Sequence, residues 1–493
     1  PSGPHAPVAR PRPKISGDVV SAKMLITPQG IQTKDVSMQG NVSVQHHARL
    51  GEQWVPIELV GESMRAVRNG VMKGSGREYL QIGSGPKSPA HLKMGDGFFI
   101  GPVIKVWPDE DLVQVEGAGR LKVPSELLKK SPNKSEPTPK PNASPSSALQ
   151  SSDLPSSPKK NLAQRSINWT APPECEWGEA MQFDGRTAVL GGGVKVQAAW
   201  ESGGLPWQAV LVGDQMRIGL SKPVALMDRG SFADATIEQI RVVESSERAV
   251  TVRAEQLDES SQRQAIHMIE SHQLDFLPDR GGQLFAKGPG WYRMWMRSDA
   301  NQSILDHSSR SRDVRARELL QGVHLTFRDQ LTGDMANETL TFSGGVRTGI
   351  RELESWNDIV NVSEMARLGI GESTIDCGTL QFGITPGMPD HLRELPGMPI
   401  PWEMVASGAV VARTNTETRG LLEVTGDRAS YQSAKNLFFL KGEPGRGTFL
   451  RQTQVDGRPG HQLRVDKLQI NLETYEIRSD FRDMQIRNID LNR

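Results

Sequence analysis

Residues 426–442 read GDRASYQSAKNLFFLKG and outline one short structural unit. An acid opens an alternating segment, a polar turn interrupts it, and a second apolar segment ends on glycine. The same order occurs twice earlier: LVQVEG (112–117) follows the turn PDED (108–111), and LFAKG (284–288) follows PDRGG (278–282). Recurrence of one unit along a chain is typical of repeat architectures. The stretch therefore predicts a stack of similar strand units rather than an isolated site.

A stronger repeat joins two distant parts of the chain. Residues 40–65 align without a gap to residues 192–217, and ten of the 26 positions are identical. GNVSVQ matches GGVKVQ at the start of this alignment, and LVGESMR matches LVGDQMR at its end. Weaker copies of the start occur at 344–346 and 408–410. Each unit is predicted to run strand, glycine, strand, acid-led strand, turn, strand and glycine.

Apolar and polar residues alternate with period two in these units. Val42 and Val44 share one face of a predicted strand, and Leu468 and Ile470 share one face of another. This period indicates half-buried strands, because successive side chains in a strand point to opposite faces. The 49 glycines and 32 prolines supply the turns that many short strands need. The sequence therefore predicts an all-β fold of many short strands.

Composition and motifs exclude several classes of function. Lys plus Arg equals Asp plus Glu, at 58 each, so no global basic field indicates a nucleic-acid partner. The chain contains no G-x-x-x-x-G-K-[ST], H-E-x-x-H, G-x-S-x-G or C-x-x-C motif. The recurring acids are interpreted as turn or strand-start residues rather than catalytic carboxylates: Glu62, Asp214 and Asp427. We therefore predict no enzymatic activity and no cofactor.

Metal and disulfide chemistry have few candidate residues. His46 and His47 are adjacent, so in a strand they point to opposite faces, which disfavours a shared metal ion. We predict no metal site. Cys175 and Cys377 are the two cysteines. They either pair in an oxidising compartment or remain as two partly buried thiols.

Composition shifts divide the chain into predicted domains. Residues 1–17 are Pro-rich and are predicted to be disordered, and 125–166 form a Ser/Pro/Lys-rich flexible linker with almost nothing to bury. The segments between and after them are predicted as β modules at 18–124, 167–300 and 401–493, with a divergent β module at 301–400. The linker would let the first module pivot relative to the rest.

The repeats resemble the OstA-like periplasmic family, which includes the lipopolysaccharide-transport (LptA-type) bridge proteins. The family repeat has a Gly-Asp start, a tyrosine, and an alternating segment that ends on glycine. The matching positions are Gly426, Asp427, Tyr431, Leu437, Phe439 (or the neighbouring Leu440) and Gly442. Residues 38–44 (MQGNVSV) match the end of the family repeat. The chain departs from the family by its several modules in series, and by Gln432 where the family has aspartate.

The resemblance implies tandem V-shaped antiparallel β-jellyroll modules whose cleft is lined by apolar side chains. The expected ligand is lipopolysaccharide or a related glycolipid, carried across the periplasm without a cofactor. Acyl chains would contact the in-register apolar residues Val42, Val44, Met64, Val194, Val196, Met216, Val410, Leu437 and Phe439. Arg65 and Arg217 would meet phosphate at the rim, although solvated outward positions are the alternative for both.

The implied partners are other OstA-like proteins, joined edge to edge by β-augmentation. The implied location is the periplasm, with any membrane tether supplied by a segment outside this chain. A second hypothesis is a scaffolding β-repeat protein of the cell envelope, with a closed core and no ligand. The two hypotheses differ in geometry, because a lipid carrier needs an open apolar groove whereas a scaffold packs its interior.

Overall fold

β-strands account for nearly all regular structure in the computed structural model, which confirms the predicted all-β class. The structure describes residues 14–27, 30–50, 53–67, 79–85, 89–125, 168–202, 204–225, 235–246, 248–258, 260–298, 319–335, 337–384, 402–443, 446–471, 476–480 and 485–487. Most of the predicted linker at 125–166 lies outside these residues, as do 1–13 of the segment predicted to be disordered. Residues 14–16 of that segment form a paired strand.

The described ranges contain 34 strands, all paired antiparallel in one continuous sheet. In chain order they are β1 (Lys14–Ser16), β2 (Val19–Thr27), β3 (Gly30–Leu50), β4 (Gln53–Val67), β5 (Tyr79–Gly83), β6 (Ala90–Met94), β7 (Gly97–Gly101), β8 (Val103–Trp107), β9 (Leu112–Glu116), β10 (Gly119–Lys122), β11 (Asn168–Trp177), β12 (Ala180–Phe183), β13 (Thr187–Gly191), β14 (Val194–Ser202), β15 (Leu205–Gly213), β16 (Gln215–Leu220), β17 (Ile237–Val243), β18 (Val250–Leu257), β19 (Arg263–Ser271), β20 (Gln273–Leu277), β21 (Gln283–Lys287), β22 (Gly290–Ser298), β23 (Leu319–Phe327), β24 (Gln330–Asp334), β25 (Thr339–Leu353), β26 (Glu372–Ile384), β27 (Trp402–Thr416), β28 (Gly420–Gln432), β29 (Leu437–Lys441), β30 (Thr448–Thr453), β31 (Pro459–Val465), β32 (Lys467–Asn471), β33 (Ile477–Asp480) and β34 (Gln485–Arg487).

Short 3₁₀ helices form the predicted turns of the repeated unit. They span Pro108–Glu110, Pro278–Arg280 and Ser433–Lys435, and a further one spans Val362–Glu364. The residue after each of the first three is left-handed, with φ of 51° at Asp111, 78° at Gly281 and 49° at Asn436. The turn predicted from three different sequences is therefore one recurring structure.

The sheet divides lengthwise into two half-sheets. Half-sheet A runs β2, β3, β4, β5, β8, β9, β12, β13, β16, β17, β20, β21, β24, β25, β26, β27, β28, β29, β32 and β33. Half-sheet B runs β1, β3, β4, β6, β7, β10, β11, β14, β15, β18, β19, β22, β23, β25, β26, β27, β28, β30, β31 and β34. Six strands, β3, β4 and β25 to β28, contribute one end to each half-sheet. The chain therefore alternates between the half-sheets as it advances.

The half-sheets meet along a bend line of glycine-containing pairs, at which the chain passes from one half-sheet to the other. The pairs are the starts of the sequence repeat, and both residues of each pair have positive φ: Gly40 and Asn41, Gly192 and Gly193, Gly344 and Gly345, Gly408 and Ala409. At three of them the strand register also shifts. The valine that follows each pair is buried: Val42, Val194, Val346 and Val410. The repeated Gly-Xaa-Val pattern thus marks where the sheet folds over its core.

Replacing Gly344 by alanine tests the bend line. A Cβ at Gly344 would have to accept a φ of +88° and would lie 2.4 Å from the backbone nitrogen of Asp329. We expect a loss of about 2–4 kcal/mol in the free energy of unfolding, from left-handed strain and the displaced neighbour. Gly204→Ala is the control, because Gly204 has a similar φ of +77° but nothing lies within 4 Å. Equal losses in urea unfolding of the two variants would contradict this account.

Side chains that point between the half-sheets form the core. Buried residues of both half-sheets fall into two apolar clusters, one from β3 to β20 and one from β19 to β32. Direct contacts cross the interior: the ring of Phe342 in half-sheet A lies 5.4 Å from that of Tyr292 and 5.9 Å from that of Phe327, both in half-sheet B. The inner faces of the two half-sheets therefore pack against each other.

The predicted module boundaries do not interrupt the strand pairing. β9 and β10, before the predicted linker, pair with β12 and β11 after it. β22 pairs with β23 across residue 300, and β26 pairs with β27 across residue 400. The described strands form one continuous stack, so separate modules are not visible as breaks in the sheet.

Candidate functional site

The candidate site is the interior strip between the half-sheets, away from the bend line. Inward residues beside the bend line are fully buried, whereas the next inward residues on many strands are half-buried. Val42 is followed by half-buried Val44, and Val194 by half-buried Val196. The half-buried apolar residues that pack against the first core cluster are Val44, Leu59, Leu80, Leu92, Phe99, Val106, Val196, Leu211, Ile240, Val252, Phe276 and Leu284. They form an apolar strip that runs along the stack.

A cavity lies between the half-sheets near the C-terminal end of the stack. Its volume is about 120 Å³, and its wall includes Ile375 and Val424 from half-sheet B and Met404, Tyr431 and Phe438 from half-sheet A. The wall is mainly apolar. An empty apolar cavity accepts hydrocarbon more readily than water, which needs polar partners. This part of the interior can therefore take up apolar groups.

The structure places seven of the nine predicted lining residues on the inward face. Met64, Met216 and the three valines beside the bend line are buried in the core: Val42, Val194 and Val410. Val44 and Val196 are half-buried and belong to the apolar strip. The repeat therefore brings equivalent residues to equivalent inward positions.

The predictions for the two remaining lining residues, Leu437 and Phe439, are wrong about which face of the strand they lie on. Leu437 and Phe439 are half-buried on the outer face of β29, whereas Phe438 and Leu440 enter the core. Phe438 pairs with Tyr431 of β28 and with Ile470 of β32, which fixes the register. The run LFFL contains four consecutive apolar residues, so period two alone could not choose between the faces.

The two arginines predicted at the rim lie on the outer face of half-sheet A. Arg65 and Arg217 each follow a buried methionine, and the strand period turns both side chains outward. Arg65 forms an ion pair with Asp35 at 2.9 Å, which lowers the pKa of that carboxyl group. Neither arginine faces the apolar strip, so the alternative of solvated outward positions applies.

A ladder of aromatic rings follows the interior over the second part of the stack. Successive ring centroids lie 5.2–6.4 Å apart, in the order Trp169, Trp200, Trp207, His267, Tyr292, Phe342, Phe382, Trp402 and Tyr431. The ladder starts in half-sheet B and crosses to half-sheet A at Phe342. The sequence patterns did not predict this ladder, although WESGGLPW (200–207) places two tryptophans opposite each other across a short hairpin.

A polar pair interrupts this ladder. His267 Nδ1 and the hydroxyl of Tyr292 share a hydrogen bond of 2.7 Å. Burial lowers the pKa of His267 to about 4 and raises the pKa of the Tyr292 hydroxyl. Both groups are therefore neutral at pH 7, and the interior contains a hydrogen-bonding pair without a charge.

Charged residues lie on the outer faces instead. Arg347, Asp376, Arg413, Glu423 and Arg451 form a cross-strand network on half-sheet B, with nitrogen–oxygen distances of 2.7–3.5 Å. A cavity of about 680 Å³ is also on this outer side, and its wall includes Asp427, Glu443, Arg446 and Arg464. Both signs of charge are present there, so the outer cavity has no clear preference for an anion or a cation.

Cysteine and metal chemistry have no role that the geometry indicates. Cys175 and Cys377 are both buried and unpaired, and burial raises the pKa of each thiol to about 12. Within the described ranges, no three His, Cys, Asp or Glu side chains are grouped so that they could hold a metal ion. In the same ranges no helix has the length and apolar character needed to cross a membrane.

Comparison with known proteins gives no further assignment. No protein-family model matches the chain, and no curated protein matches it. The resemblance of its repeats to the OstA-like family stays a prediction.

Proposed function

We propose that the chain binds the acyl chains of lipopolysaccharide or a related glycolipid in the strip between its half-sheets and passes them along the stack. The observation that carries the proposal is the half-burial of the inward apolar strip. Val196, Leu211 and Val252 sit opposite one another on β14, β15 and β18, and all three are half-buried rather than sealed in the core. A hydrocarbon ligand would cover this inward apolar surface, because the surface remains partly accessible.

The energetics of such binding favour a continuous lining over a specific pocket. Each methylene group moved from water to an apolar surface contributes about 0.8 kcal/mol. An acyl chain that covers several strands of the strip would therefore bind without any polar contact. A chain held in this way could also move along the strip, because successive strands offer similar surfaces.

The scaffold hypothesis has one specific observation in its favour. Near the middle of the stack, Phe342 is fully buried and contacts Tyr292 and Phe327 across the interior. These rings fill the space beside the bend line, as a closed core would. The proposal therefore assigns lipid to the half-buried strip farther from the bend line, and leaves Phe342 and Phe327 as permanent packing.

Partners are proposed at the two ends of the stack. In the described part of the chain, β2 pairs only with β3 and β33 pairs only with β32. β2 also carries exposed apolar residues, among them Met24 and Ile26, which is 82% exposed. Unpaired edges of this kind accept a further strand. We propose that other β-stack proteins of the periplasm join there.

Photo-crosslinking at Val196 tests the proposed function. A photoreactive residue at Val196 faces the strip, and the same residue at Lys195 faces outward on the same strand. With purified protein and lipopolysaccharide, adducts are expected at Val196 and not at Lys195. Adducts at neither position, with lipopolysaccharide in excess, would favour the scaffold hypothesis.

A further inference from the structure

The aromatic ladder contains a buried donor that the protein leaves unused. Trp207 stacks on Trp200 at 5.9 Å with an angle of 9° between the rings, and its other face meets His267 at 5.5 Å. The indole Nε1 of Trp207 is buried, and no residue in the described part of the chain accepts its hydrogen bond. Buried N–H groups are normally paired, so an unpaired one calls for an explanation.

A second donor lies next to Trp207. A neutral imidazole carries one N–H and a tyrosine carries one O–H. The hydrogen bond between His267 and Tyr292 uses one of these two hydrogens, so the other is left to donate. The interior therefore holds two neutral donors within one group of three side chains, and Ala209, Ala254 and Gln256 occupy neighbouring positions on the same face.

We propose that Trp207, His267 and Tyr292 form a polar station that binds an oxygen atom carried by the acyl chain of a lipid. This inference rests on the proposed function and specifies the ligand: a chain with a hydroxyl or acyl-linked oxygen, rather than a plain hydrocarbon. A neutral acceptor fits the site, because the charged network of this chain lies on the outer faces. The station lies beside half-buried positions, so a chain in the strip can reach it.

The position of the station in the stack supports this assignment. The two core clusters meet in this region: Val252 and Leu284 pack against both of them. His267 and Tyr292 lie on β19 and β22, where the second cluster begins. An oxygen-bearing chain would thus be held at the junction between two apolar stretches and would slide more freely on either side of it.

Two probes of equal length test the station: stearic acid and its mid-chain hydroxy derivative. The wild-type protein is expected to bind the hydroxylated acid about 3- to 10-fold more tightly, the usual worth of one neutral hydrogen bond. Trp207→Phe keeps a ring and removes the N–H, and is expected to lower this ratio, because only the donor of the His267–Tyr292 pair then remains. Trp356→Phe is the matched control, since Trp356 lies in the turn after β25 with its ring against Arg263, and should keep the wild-type ratio.

Three results would overturn the inference. If the wild-type protein binds both acids equally, the station recognises no oxygen, while the proposed lipid function stands. If Trp207→Phe keeps the preference, the indole N–H has no part in it. If the wild-type protein binds neither acid, the proposed function fails together with the inference. The first of these results needs only the affinities of the wild-type protein for the two acids. It therefore does not depend on whether the variant folds.

Discussion

Replacing Phe342 by alanine is expected to lower the free energy of unfolding by about 3–5 kcal/mol. The Phe342 side chain is fully buried and contacts the rings of Tyr292, Phe327 and Phe382. Removing it leaves a cavity and breaks the contact between the half-sheets at the middle of the stack. Urea unfolding followed by circular dichroism would measure the change.

Phe439→Ala is the control for this loss. Phe439 is half-buried on the outer face, so its truncation is expected to cost about 1 kcal/mol or less. A loss at Phe439 as large as that at Phe342 would mean that the outer face of β29 is packed like the core. The register of β29 would then have to be reconsidered.

Replacing Val196 by aspartate is expected to weaken lipopolysaccharide binding by about 100-fold. A carboxylate in the strip would keep hydrocarbon from that strand and its neighbours, and the loss of three or four methylene contacts at about 0.8 kcal/mol each gives this factor. Val196 is half-buried, so the charge can reach water and the fold should persist. Titration with a fluorescent lipopolysaccharide measures the affinity.

Lys195→Asp separates an effect in the strip from a general effect of charge. It changes the charge of the neighbouring outward residue on the same strand, which is exposed. Its affinity is expected to stay within about twofold of the wild type. Equal losses in both variants would show that lipopolysaccharide responds to net charge rather than to the inner face.

Period-two alternation was enough to predict the fold class and most inward positions. It works where apolar residues alternate strictly, as at Val42 and Val44, because one side of each strand faces the core. It fails in the run LFFL at 437–440, where every residue is apolar and only pairing with Tyr431 and Ile470 selects the face. The two arginines were assigned to the rim through the resemblance, although the strand period itself turns them outward.

Long-range features could not be read from the sequence. The domain boundaries were predicted from shifts in composition. β9 and β12 are 60 or more residues apart in the chain, and they pair whatever the composition of the segment between them. The aromatic ladder depends on which strands become neighbours, so only its hairpin segment, Trp200 and Trp207, had a local signal. The unpaired indole N–H of Trp207 can be recognised only when the burial of that atom is known.

The most direct test of the account is to locate a brominated acyl chain in crystals of the protein–lipid complex by anomalous scattering. We expect bromine peaks between the half-sheets, in contact with inward residues such as Val196 and Leu211. Peaks confined to the outer faces, or an interior without bromine in crystals that contain the lipid, would contradict a lipid-binding groove.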